Sequence, residues 1–97
     1  MLLKTSEEVQ EYLDQEHSTS LRRYLAAGQN ESVSEILGLP VWQVTAQGRQ
    51  TEQGEFSSLE GGNYYVSEDG VLFSVPVRKS SEEEFKTVVS QAYQNHK

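Results

Sequence analysis

Few side chains in this 97-residue chain are equipped for chemistry, and their spacing decides what they can do. There is no cysteine, and the two histidines, His17 and His96, sit at opposite ends of the sequence. A metal site needs several His, Cys or carboxylate ligands converging at set intervals, and neither an HxxxH nor a CxxC pair is present. No metal and no cofactor are expected. Nucleophilic catalysis needs a hydroxyl or thiol beside a base that takes its proton. No serine lies in a GxSxG elbow, and neither histidine has a recognisable partner. Carboxylates run together at Glu7-Glu8 and at Glu82-Glu83-Glu84. Each run follows a hydroxyl residue at a helix start, where acids complement the positive end of the helix dipole. General acid–base work would require burial to move their pKa values. His17 reads as an imidazole at a helix end, His96 as tail, and Gly61-Gly62, lacking the lysine of a phosphate loop, as a turn. The inventory points away from an enzyme.

Charge narrows the partners. Fifteen acids oppose eight bases, for a net charge of -7. Residues 1–40 carry seven acids and three bases, 41–79 five and three, and 80–97 three and two, so no segment is basic. Binding to a phosphate backbone draws its affinity from Lys and Arg clusters that displace counterions, which makes nucleic acid and anionic membrane poor direct partners. A basic protein surface is the natural complement. The absence of cysteine suits a reducing compartment, and no apolar run reaches signal-peptide or membrane-spanning length, so a cytoplasmic protein is expected.

The elements follow from punctuation and period. Thr5-Ser6-Glu7-Glu8 has the form of a capping box opening a helix from about Ser6 to Glu16, with Val9, Tyr12 and Leu13 inward. Ser18-Thr19-Ser20 interrupts it, and a second helix is predicted from about Thr19 to Ala27, with Leu21, Tyr24 and Leu25 inward and Gly28 as its stop. Asn30 caps a third short helix carrying Val33, Ile36 and Leu37, ended by Gly38 with Leu39 and Pro40 beyond. Val41 to Ala46 alternates as a strand with Trp42, Val44 and Ala46 on one face. Residues 47–53 read as a polar loop or hairpin tip, and Glu55 to Leu59 as a weak strand. Ser80-Ser81 before the acidic run starts a final helix whose Phe85, Val88, Val89, Ala92 and Tyr93 form the plainest amphipathic stripe in the chain.

Between them lies the stretch Asn63 to Val77, two β-prone runs around Asp69-Gly70, where a glycine accepts the positive φ of a tight turn. A two-residue loop opposes Val66 to Phe73 and Tyr64 to Val75, and gathers Tyr64, Val66, Val71, Phe73 and Val75 on a core face. A three-residue loop, Glu68-Asp69-Gly70, instead places Tyr65 beside Phe73. The first register is preferred because it leaves Ser67 and Ser74 together on the wetter face. It also turns Tyr65 and Leu72 outward together. With Glu68 and Asp69 at the turn they would form an aromatic anchor with an acidic rim. Pro76 cannot donate to a ladder, so the last strand is expected to have a free side.

One single α+β domain is implied: short N-terminal helices, an antiparallel meander sheet of three or four strands, and a C-terminal amphipathic helix packed on one sheet face. The functional expectation is a non-enzymatic protein-binding module, an inhibitor, immunity-type or adaptor protein of bacterial or phage character. It would cover a basic surface of its partner with Tyr65, Leu72, Glu68 and Asp69. A competing pattern runs from Val33 to Val44, whose apolar and small residues have the spacing of a helix-turn-helix. Trp42 to Arg49 would then be a recognition helix and the hairpin a wing, although Arg49 is its sole base. A third possibility is a homodimer through a sheet edge.

Overall fold

Thr5 starts the first helix through the contacts its sequence predicts. Its Oγ1 accepts the Glu8 N–H at 3.2 Å, and the Glu8 carboxylate accepts the Lys4 N–H at 3.2 Å, pairing donors that a helix start otherwise leaves open. The computed structural model describes residues 2–18, 22–49, 56–58, 63–75 and 81–97. Along the chain these form α1 (Ser6–Glu16), β1 (Arg22–Gln29), α2 (Glu31–Leu37), β2 (Val41–Arg49), β3 (Phe56–Ser58), β4 (Asn63–Ser67), β5 (Leu72–Val75) and α3 (Glu82–His96).

The strands make an antiparallel sheet in the order β1-β2-β4-β5. One edge of β2 pairs with β1; its other edge takes β4 at residues 41–44 and the short β3 at residues 47–49. Helices cover both faces. On one, α1 buries Val9 and Leu13 against Tyr24, Trp42, Val44, Ala46 and Val66. On the other, α2 and α3 bring Val33, Val89 and Tyr93 onto Val41, Tyr65, Phe73 and Val75. Side-chain alternation along β2 separates Val41 from Trp42 and so feeds both cores from one strand. The α+β class, the antiparallel meander and the C-terminal helix on one sheet face are as the sequence predicts.

Of the second helix expected at 19–27, residues 19–21, with Leu21, lie outside the described residues, and 22–27 are not helical. From Arg22 the segment is β1, so the chain has two N-terminal helices among the described residues rather than three. Leu25-Ala26-Ala27 has good helix propensity, but that preference amounts to a few tenths of a kcal/mol per residue. Pairing with β2 and burial of Tyr24 in the α1 core outweigh it. The third predicted helix is α2 as drawn. Asn30 Oδ1 accepts the Val33 N–H at 3.0 Å. Gly38, at φ 73°, ends it with its own N–H and that of Leu39 on the Ser34 carbonyl. Val41–Arg49 is a strand, which removes the recognition helix required by the helix-turn-helix alternative.

The central hairpin takes the three-residue loop, not the preferred two-residue one. Tyr65 pairs with Phe73, Tyr64 with Ser74 and Val66 with Leu72. The Gly70 N–H donates to the Ser67 carbonyl at 2.9 Å and the Ser67 N–H to the Val71 carbonyl at 3.0 Å, closing a loop whose last residue, Gly70, sits at φ 84°. The preference for the other register rested on a wet sheet face. In the structure the two serines part: Ser67 is fully buried on the α3 side, Ser74 is exposed on the opposite face, and alternation alone does not choose between the two pairings.

Gly70 is fixed by its surroundings as well as by φ. A Cβ there would stand 3.0 Å from Tyr12 Oη and 3.1 Å from Tyr12 Cζ. Gly70→Ala is expected to lower stability by about 2 kcal/mol, from left-handed backbone strain plus displacement of the Tyr12 hydrogen bond. In a Tyr12→Ala background the loss should fall to about 1 kcal/mol, the strain alone. Urea denaturation of the four proteins checks this; equal losses in both backgrounds would remove the clash from the account.

Candidate functional site

The four residues expected to form a contact patch do not come together. Tyr65 is 3% exposed and packs against Phe73 beneath α3, with ring centroids 5.6 Å apart. Its burial raises the phenol pKa above the ordinary value. Leu72 is half-buried on the opposite face, against the α1 core. The shift of register by one residue is the reason, because it sends the two side chains to different sides of the sheet. The apolar anchor foreseen on the hairpin is therefore structural.

Glu68 and Asp69 remain at the turn, where they organise it. The Glu68 carbonyl accepts the Leu3 N–H at 2.8 Å, and its N–H donates to the Pro40 carbonyl at 3.0 Å. Tyr12 Oη donates to the Gly70 carbonyl at 2.8 Å, and Tyr93 Oη donates to Asp69 Oδ2 at 2.6 Å. Ser67 Oγ donates to the other carboxylate oxygen of Asp69. Partial burial pushes the Asp69 pKa up, but the hydrogen bonds from Ser67, Tyr93 and its own backbone, with Lys97 nearby, hold it below the ordinary carboxylate value. The same bond to Asp69, with burial and the Asp69 and Glu68 charges, pushes the Tyr93 phenol up to about 12. Asp69 is thus a hydrogen-bond acceptor spent on the fold.

His17 does not act as a cation on the helix dipole. It caps α1 and its ring lies edge-on to Tyr12 at 5.3 Å and to Tyr24 at 6.4 Å, with Nε2 buried. Burial lowers its pKa and outweighs the opposing pull of Glu16. A neutral imidazole filling an aromatic cluster is the consequence.

An opening that could receive another molecule lies elsewhere among the described residues, between α2 and α3. A groove of about 610 Å³ is lined by Ser32, Glu35 and Ile36 of α2 and by Glu82, Phe85, Lys86 and Ser90 of α3. The chain builds it from two amphipathic helices on one sheet face. Val33 and Val89 are the buried positions, and the flanking Ile36 and Phe85 stay half-buried as a floor. Glu35 and Glu82 stand exposed on opposite walls, with Lys86 beside Glu82's helix turn. Sequence reasoning assigned Ile36 and Phe85 to the core and Glu82 to capping. Only the juxtaposition of two helices separated by 44 residues reveals the groove. Chemically it offers an apolar floor, two carboxylates, two hydroxyls and one ammonium. Among the described residues no group of three His, Cys, Asp or Glu side chains is placed to hold a metal ion.

Compared with models of known protein families, with curated proteins and with solved structures, the chain matches none.

Two pH effects follow from these environments. A tyrosine whose folded pKa is raised adds stability that is complete below the unfolded value of 10 and is lost as pH climbs toward about 12. Tyr93→Phe should cost about 1 kcal/mol near neutrality and flatten part of the alkaline decline, read from urea midpoints at stepped pH. An unchanged alkaline limb would show that the Asp69 bond is not its source. For His17 the sign is opposite. Its folded pKa is lowered, so stability is complete above 6.5 and falls as pH drops below that value. His17→Phe should remove this mildly acidic loss, whereas a decline that persists in the variant would move its origin elsewhere.

Proposed function

We propose that this protein is a non-enzymatic binding module that covers a basic surface of another protein, with the α2–α3 groove as its contact region. The observation that carries the reading is the groove itself: Ile36 and Phe85 form an apolar floor between the exposed carboxylates of Glu35 and Glu82, on a chain of net charge -7. An apolar anchor ringed by charge is how protein interfaces combine affinity with orientation. The matching ligand is an amphipathic basic segment that lays an aliphatic side chain on the floor and Lys or Arg on the rims. The acids of α1 and of the first turn of α3 are exposed and extend the negative field that would steer such a partner. An inhibitor, immunity-type or adaptor role fits this chemistry. No helix among the described residues is long and apolar enough to cross a membrane. With no cysteine in the chain, we place the module in the cytoplasm as part of the same proposal.

A helical peptide of alternating Leu and Lys faces serves as the probe. Calorimetric titration should show binding that weakens with salt. The double variant Glu35→Lys, Glu82→Lys should weaken it by about tenfold or more, while Glu11→Lys, Asp14→Lys on the outer face of α1 should stay within about threefold. Equal effects from the two variants would reduce the interaction to diffuse charge and reject the groove as the site.

A further inference from the structure

The two outer edges of the sheet are finished differently. At the β1 edge, α1 and the segment after it occupy the main-chain groups that face outward. Gln10 Nε2 donates to the Tyr24 carbonyl at 3.0 Å, Gln10 Oε1 accepts the Ala26 N–H at 2.8 Å, and Ser18 Oγ accepts the Tyr24 N–H at 3.2 Å. A side-chain amide that bonds a carbonyl and the N–H two residues on imitates one residue of a neighbouring strand, and so closes the edge to any other chain.

Among the described residues the β5 edge has no such cover. The Ser67 N–H bond to the Val71 carbonyl fixes residues 67 and 71 as a hydrogen-bonded pair, and the pattern repeats at 65 with 73 and 63 with 75. The main-chain groups of Phe73 and Val75 therefore face β4, and those of Leu72 and Ser74 face away from the sheet. No hydrogen bond between the described residues reaches them from that side. Phe73 and Val75 are buried beneath α3, so β5 is held straight and in place by packing rather than by an outer neighbour.

Charge selects the occupant. Tyr93, near the end of α3, is tied to Asp69 just before β5, so α3 runs antiparallel to the strand. That direction sets Glu68, and Asp69 with Lys97 beside it, at one end of β5 and leaves the three acids Glu82-Glu83-Glu84 toward the other. A second copy would bring another -7 to this edge. We propose that β5 is a docking edge for an extended, basic segment of the partner protein, which adds as a strand through the N–H and C=O groups of Leu72 and Ser74. This rests on the reading of the protein as a binding module for basic partners and gives that partner a second, main-chain-directed contact.

The probe is a capped peptide of about six residues alternating Lys and Val, the length of an ordinary strand. Added to the intact protein, it should shift and protect the Leu72 and Ser74 amides in nitrogen–proton spectra. Ser74→Pro removes an outward donor without touching the ladder to β4 and should weaken binding by about tenfold or more. A peptide N-methylated at alternate amides should fail equally against the unaltered protein, which keeps the test decisive if Ser74→Pro folds poorly. Absence of shifts at about 1 mM peptide, the weak end of measurable affinity, overturns the proposal. So do shifts spread over the acidic helices and indifferent to N-methylation. Self-association that Ser74→Pro abolishes would assign the edge to a second copy and overturn the choice of partner. Glu35→Lys, which alters the groove alone, distinguishes the two readings: if it weakens the helical peptide while the extended peptide never reaches β5 of the unaltered protein, the edge fails and the groove stands.

Discussion

The N-terminal segment, α1, the start of β2 and α3 meet at the three residues Glu68, Asp69 and Gly70. Their backbone binds the incoming N-terminal segment at Leu3 and the start of β2 at Pro40. The Gly70 carbonyl receives Tyr12 from α1 on one side of the sheet, and the Asp69 carboxylate receives Tyr93 from α3 on the other. A three-layer protein of this size has little interior per layer, and each helix alone offers the sheet only a few buried side chains. Fixing both outer layers to one rigid turn makes the two cores depend on each other. The left-handed Gly70 is what permits it, since it aims its carbonyl at a tyrosine that a Cβ on that residue would crowd.

The same turn explains why the hairpin does not bring Tyr65 and Leu72 together. Its register distributes aromatic side chains to both faces, Tyr65 with Phe73 under α3 and Tyr64 with Val66 under α1. Once both faces are covered, the surface left for recognition is made of helix exteriors, the crease between helices, and strand edges. Acidic residues dominate the first. The crease between α2 and α3 adds apolar area, and the edges differ in whether side chains have already claimed their hydrogen bonds.

Local signals were legible where they were self-contained. Thr5, Asn30, Gly38 and Ser81 each cap through contacts within a few residues, so α1, α2 and α3 stand where the sequence puts them. The alternation of Trp42, Val44 and Ala46 survives as one face of β2. What failed depended on distant partners. Tyr24 and Leu25 suit a helix stripe as well as a strand, and only the pairing of Tyr24 with Ala46 decides between them. The hairpin register depended on whether a second helix layer existed, which no residue near the turn announces. Of the polar loop or hairpin tip predicted at 47–53, residues 47–49 are the end of β2, paired with β3, while 50–53, like Pro76, lie outside the described residues. The groove was invisible for the same reason as β1, because Ile36 and Phe85 look like core until their neighbours are placed.

Trp42, the sole tryptophan, sits in the α1 layer, whereas the α3 layer contains tyrosine and phenylalanine alone. Indole emission will thus register solvent entering beneath α1 and remain blind to loosening under α3. Optical melting curves of this protein report half of its interior, and agreement between them and a probe such as far-ultraviolet dichroism becomes a direct measure of how tightly the halves are coupled.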